Sequence, residues 1–239
     1  MTTANRPIIG PLLTTLRRAQ KLRRQRGTAR MFFSIIQKVL SLPLLNRCVN
    51  LAAGDVWWVS LSQERPSRRV LQSVVVRKAQ PADLPALVEY FGGRWVEDRF
   101  RRGNHCWIAL CQDKIGAAVW LVAGPGSFDE DFEEFRNVFQ VPPGVGWTFD
   151  GKGTRLGAWG TLMAQWAPQL QEIGINELFT LIDCNNWQSA DGHLSLGYRQ
   201  EGILASLRVF GFRFTAFRRG GRWGRVPTNI GHLRLDGRP

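Results

Sequence analysis

The first fifty residues contain no aspartate or glutamate, although they carry ten lysines and arginines. Such a stretch cannot balance its own charge internally, so its basic face meets solvent, an acidic partner or an anionic surface. Cysteine is also scarce. Cys48, Cys106, Cys111 and Cys184 show no paired short spacing suited to zinc. Nothing in their placement implies a disulfide framework, which makes a reducing cytoplasm the default location. The three histidines are too dispersed to suggest a metal site, and no metal is expected. Long apolar runs are missing as well. The longest candidate, Met31 to Leu45, is interrupted by Gln37 and Lys38. It falls short of the ~20 residues that span a bilayer. No small-x-small cleavage site follows it, so the run reads as neither a membrane span nor a secretory signal.

What is present is a chain of 239 residues, enough for one large domain or a domain with an extension. Its ten tryptophans imply large apolar surfaces to fill. The formal charge of +13 sits at the two ends, because residues 199–239 add nine arginines against only Glu201 and Asp236. In the N-terminal segment Ile9, Leu12, Leu13 and Leu16 share one helical face. Phe32, Ile35, Ile36, Val39 and Leu40 repeat that spacing until Pro43. The pattern predicts a basic amphipathic helical extension over residues 1–65. Three roles suit it: packing on the remaining domain, recruiting an acidic partner or an anionic membrane, and attracting nucleic-acid phosphate. Residues 218–239 read as a basic C-terminal tail.

Between these ends the periodicity alternates. Val74 to Arg77 reads as a strand, and Gln80-Pro81-Ala82-Asp83-Leu84 as a helix start with Leu84, Leu87, Val88 and Phe91 on one face. Cys106 to Leu110 and Ile115 to Val122 predict a hairpin turning at Gln112-Asp113-Lys114. Val145, Trp147 and Phe149 alternate as a central strand. Leu162, Met163, Trp166, Leu170 and Ile173 mark a helix that Pro168 should kink or shorten. The segment from Phe128 to Phe135 interleaves five carboxylates with aromatics. It reads as an acidic helix face with Phe132 and Phe135 inward, or as an electrostatic match for a cationic amine. Trp120 and Trp147 are candidates for pocket walls or for core.

Two motifs carry chemistry. In the first, Arg155-Leu156-Gly157-Ala158-Trp159-Gly160 places small residues between a strand and a helix, where backbone N–H groups can approach phosphate oxygens. In the second, an apolar run through Leu178 and Ile182 ends at Cys184-Asn185-Asn186. A short polar helix follows, then Leu196-Gly197-Tyr198. Together they resemble the GCN5-related N-acetyltransferase superfamily over residues 70–217. The first resembles that family's pyrophosphate loop, with Arg155, Gly157, Ala158 and Gly160 at its binding positions. In the second, Asn186, Ser189, His193 and Leu196-Gly197-Tyr198 align without a gap. His193 stands where many members carry a tyrosine that protonates the leaving thiolate. An imidazole can also donate a proton, and a helix-face packing role is its alternative.

The resemblance implies an α/β (α+β) fold, a mixed central sheet flanked by helices and preceded here by the helical extension. It also implies an acyl donor, acyl-coenzyme A or acyl-pantetheine on an acyl carrier protein that the basic N-terminus could recruit. The thioester carbonyl would sit where two parallel central strands splay, here Val145 to Phe149 and Leu178 to Asp183. Asn186 and Ser189 would join the donor site. Asp150 and Asp183, near the strand ends, are the carboxylates that could deprotonate an amine on a small molecule or a peptide, with turn-capping as their other role. A small acyl group is the default, and a long fatty acyl chain is the runner-up. A non-catalytic binding module on the same scaffold is the alternative from another class.

Overall fold

The computed structural model describes residues 33, 35–37, 39–40, 48–63, 70–130 and 137–234. Most of the N-terminal segment, with its stripe from Ile9 to Leu16, lies outside these residues, as do Phe132 and Phe135. Among the described residues, the fold is a nine-stranded mixed sheet with helices on both faces. Its strands are β1 (Val49–Ser60), β2 (Val74–Lys78), β3 (His105–Cys111), β4 (Lys114–Ala123), β7 (Val145–Gly153), β8 (Glu177–Asp183), β9 (Arg199–Val209), β10 (Phe212–Arg219) and β11 (Arg222–Gly224). The order across the sheet is β11-β10-β9-β1-β8-β7-β4-β3-β2. A separate two-stranded hairpin is formed by β5 (Gly126–Glu130) and β6 (Asn137–Val141). The expected mixed sheet flanked by helices is therefore present.

One face of the sheet carries α3 (Ala158–Glu172), whose Leu162, Met163, Trp166 and Leu170 pack against Trp107, Val119, Leu121 and Leu178. The other face carries α1 (Leu84–Phe91) and α2 (Trp95–Arg101) over Cys106, Ile108 and Trp120, and the β5–β6 hairpin over Trp147 and Phe179. The β3–β4 turn falls at Gln112 and Asp113, both at positive φ (50° and 61°), the geometry of a two-residue hairpin loop. Pro168 does not end α3, which continues to Glu172 because Ala167 and Leu170 on either side of it are buried. Trp120 and Trp147 are wholly buried core residues.

Three sequence expectations are corrected. The span 1–65 is not helical throughout, because residues 49–60 form β1 in the interior of the sheet, between β8 and β9. A strand covered on both faces has no polar alternation to reveal it, and Val56, Trp57, Trp58 and Val59 are all buried. Earlier residues do include helix: 33, 35–37, 39 and 40 are helical, and Phe33 packs with Ala53, Ile203 and Ala205. The C-terminal segment is not a detached tail. β10 runs to Arg219, Ile230 and Leu233 are buried, and Arg234 pairs with Glu177 at 2.9 Å while lying 4.7 Å from the Trp58 ring. Finally, Gly126–Glu130 is a strand rather than a helix face, with Phe128 turned inward against Phe149 and Trp147.

Candidate active site

β7 and β8 are parallel neighbours, paired from Val145↔Glu177 to Thr148↔Thr180. Beyond that rung they part. β7 continues only against β4, and β8 only against β1, where Asp183 pairs with Gly54. The last shared rung is stitched by side chains. The Thr148 hydroxyl donates to the Phe179 carbonyl at 3.2 Å, and the Thr180 hydroxyl to the Thr148 carbonyl at 3.0 Å. The opening leads into a cavity of about 200 Å³. Phe149, Trp159, Met163, Leu181 and Ile182 form its apolar walls. Asp150, Asp183, Asn186, Ser189 and His193 line its polar side with the two threonines.

The pattern at 183–198 folds as its residue types dictate. Asp183 Oδ1 accepts the Asn185 N–H at 2.6 Å, which turns the chain at the end of β8. Asn186 then caps α4 (Trp187–Leu194), its side chain accepting the Ser189 N–H at 3.1 Å. The remaining amide of the Asn pair reaches outward, Asn185 Nδ2 donating to Gln37 Oε1 at 2.5 Å. His193 sits on the inward face of α4, 6% exposed. Its Nδ1 lies 2.7 Å from the Ser189 carbonyl and 3.4 Å from the Ser189 hydroxyl. The Tyr198 ring stands edge-on to it at 4.8 Å. Burial pushes the His193 pKa below its ordinary value, and the bond to Ser189 opposes that shift.

At the start of α3, the Thr154 and Arg155 amides donate to the Gly116 carbonyl, and Arg155 Nη1 donates to the Cys111 carbonyl at 3.2 Å. Gly157 takes φ +78° as N-cap, and a Cβ there would lie 2.5 Å from Leu71. Ala158 is buried behind the loop. Space is open above Gly160, where an added Cβ would meet nothing within 4 Å. The Ala158 amide donates to the Arg155 carbonyl at 3.2 Å and the Thr161 amide to the Gly157 carbonyl at 3.0 Å. This leaves the first-turn amides of Trp159 and Gly160, with no carbonyl four residues back within the helix, to meet an anion. Arg155, Gly157, Ala158 and Gly160 thus lie together at the helix start. Trp159 and Met163 link that helix to the cavity wall.

Asp150 lies within β7, past the last rung shared with β8, at φ +45° and is ion-paired with Arg99. The Arg99 guanidinium lies 4.0 Å from the Trp95 ring and 4.5 Å from that of Phe149. Sequence reasoning missed Trp159. Its indole lies against β7 because Gly151 has no side chain; a Cβ there would sit 2.4 Å from the ring. The repeated glycines at 151 and 153 were the available signal. Thr148, Thr180 and Met163 were also missed, and single threonines within apolar strands carry little signal of their own. Among the described residues, no group of three or more His, Cys, Asp or Glu could hold a metal ion. No described helix is long and apolar enough to cross a membrane.

No family model matches the chain, and no curated protein matches it. Several solved structures with a similar fold are GCN5-related N-acetyltransferases. A putative acetyltransferase of that family from Novosphingobium aromaticivorans is 12% identical, with a TM-score of 0.48 over 66% of this chain and 64% of its own. An N-acetyltransferase-like protein from Streptococcus suis is 10% identical, with a TM-score of 0.44 over 74% and 66% of the two chains. A Drosophila protein is 13% identical, with a TM-score of 0.45; the match spans 74% of this chain and 58% of that one.

Proposed function

We propose that this chain is an N-acyltransferase that moves an acyl group from a pantetheine thioester, coenzyme A by default, to an amine. The observation that carries this reading is the opening of β7 and β8 beyond Thr148 and Thr180. It leaves the facing edges of the two strands unladdered at the mouth of a half-polar cavity. A thioester carbonyl lying there can accept from a strand amide, and a phosphate can rest on the Trp159 and Gly160 amides of α3 over the open space at Gly160. A cavity of about 200 Å³ suits a short acyl group better than a fatty chain, since pockets for drug-sized ligands are typically ~300–1,000 Å³. Attack requires a neutral amine, because a protonated nitrogen has no lone pair.

The deciding experiment incubates the protein with acetyl coenzyme A and a panel of primary amines and basic peptides. Free thiol is followed, and products are weighed by intact mass. Amide formation with stoichiometric thiol release is expected. Coenzyme A binding in calorimetry without turnover of any amine would favour a non-catalytic binding module. Faster transfer of long acyl chains than of acetyl would favour the fatty-acyl alternative, with an acyl carrier protein as donor then worth testing.

A further inference from the structure

We infer that His193 is both the base and the acid of the proposed transfer, its Nε2 taking a proton from the attacking amine and returning it to the departing sulfur. This rests on the acyltransfer reading above. The carbonyl of Ser189 can only accept, so the 2.7 Å contact places the imidazole hydrogen on Nδ1. In the neutral ring Nε2 is then the nitrogen with a free lone pair. Such a ring can receive a proton before it can give one, so the sequence-based role of a simple acid is incomplete. The Tyr198 ring at 4.8 Å and the walls of α4 fix the orientation of the imidazole, which lines the cavity.

The other titratable groups around the cavity are already engaged. Asp150, facing it from β7, is held by Arg99, and Asp183, facing it from β8, accepts the Asn185 amide. Tyr198 contributes its ring from the start of the segment that follows α4. Among the described residues, no other imidazole lines the cavity. The step balances on one side chain. As the C–N bond forms at the thioester carbonyl, Nε2 accepts a proton from the amine nitrogen. As the C–S bond breaks, the imidazolium passes that proton to sulfur. Amine and thioester become amide and thiol, and His193 ends neutral with Nδ1 still bound to Ser189.

Two measurements test this. The first is nitrogen NMR of ¹⁵N-histidine-labelled protein at pH 7.5, expected to show His193 as the Nδ1–H tautomer; an Nε2–H tautomer overturns the inference whether or not an acceptor has been found. The second is the pH profile of thiol release from acetyl coenzyme A with the best amine of the panel. Wild-type kcat/KM should climb through a midpoint below about 6.5. His193→Gln should lower kcat by roughly 10²-fold or more and abolish that limb, with coenzyme A affinity retained in calorimetry. His193→Tyr, able to donate a proton but not to accept one at neutral pH, should recover part of kcat without the limb. A glutamine variant with wild-type turnover and an unchanged limb overturns the shuttle while leaving acyl transfer standing. Wild-type protein that neither binds coenzyme A nor releases thiol overturns the acyltransfer reading, and the shuttle with it.

Discussion

The Thr180 hydroxyl donates to the Thr148 backbone carbonyl at 3.0 Å, at the last rung β7 and β8 share. Both residues are buried. This bond and its counterpart from Thr148 to Phe179 hold the fork at a fixed position, so the strands part after Thr148 rather than fraying from further down. Thr180→Val keeps the shape and removes the donor. A loss of about 1 kcal/mol in urea-denaturation stability is expected, with Thr180→Ser close to wild type. A valine variant as stable as the wild type would mean the hydroxyl contributes nothing at the fork.

Gly160→Trp fills the open space above the α3 start. Coenzyme A binding, measured by calorimetry, should weaken at least tenfold while the melting temperature stays near that of the wild type. Equal binding by the two proteins would remove this loop from the donor site.

Trp159 closes one wall of the cavity and rests on the bare Cα of Gly151. Trp159→Ala should shift the preferred donor from acetyl toward longer acyl chains, read as the ratio of kcat/KM values across a graded series of thioesters. A stability cost of roughly 2–4 kcal/mol accompanies the lost packing. An unchanged chain-length profile would show that the acyl group does not reach this wall.

Burial lowers the His193 pKa in the folded state, so between that value and the unfolded value near 6.5 the unfolded chain binds the extra proton. His193 therefore disfavours folding progressively as pH falls below about 6.5, and its contribution is fully restored above it. Asp83 behaves with the same sign lower down. Its hydrogen bond to Arg77 holds its carboxyl below the usual range, and that stabilisation is lost only as pH drops under about 3.8. Melting temperatures from pH 7.5 to 5 should fall less in His193→Gln than in wild type. Parallel curves would place the acid sensitivity elsewhere.

The parts of this site that were legible in sequence are those built from local chemistry. An asparagine three residues before a serine, on the heels of an apolar run, specifies a helix cap, and Asn186 with Ser189 forms one. The same segment carries His193 to the cavity and Asp183 to its rim. What was not legible depends on two segments meeting. Gly151 reads as loop freedom until Trp159 lies across it. Asp150 reads as a candidate base or a turn cap until α2 brings Arg99 to it. β1 escaped for a different reason. Its run from Val56 to Val59 is apolar on both faces, and its central place in the sheet removes the alternation by which edge and half-buried strands declare themselves.

The position of β1 also has a consequence in time. Trp58 donates its indole N–H to Glu177 at 3.0 Å across 119 residues of chain, and both ladder partners of β1 lie in the second half of the sequence. A ribosome adding ~5–20 residues per second completes β1 roughly 6–23 seconds before Glu177 is made. Throughout that interval a twelve-residue strand, eight of its residues destined for burial, is without either neighbour. Closing so long a loop before any ladder bond forms sets a slow, non-local step at the centre of the sheet. The nascent chain is thus most exposed to aggregation at the segment that later fills the sheet's interior. Refolding from urea should be correspondingly more sensitive to protein concentration than its unfolding is.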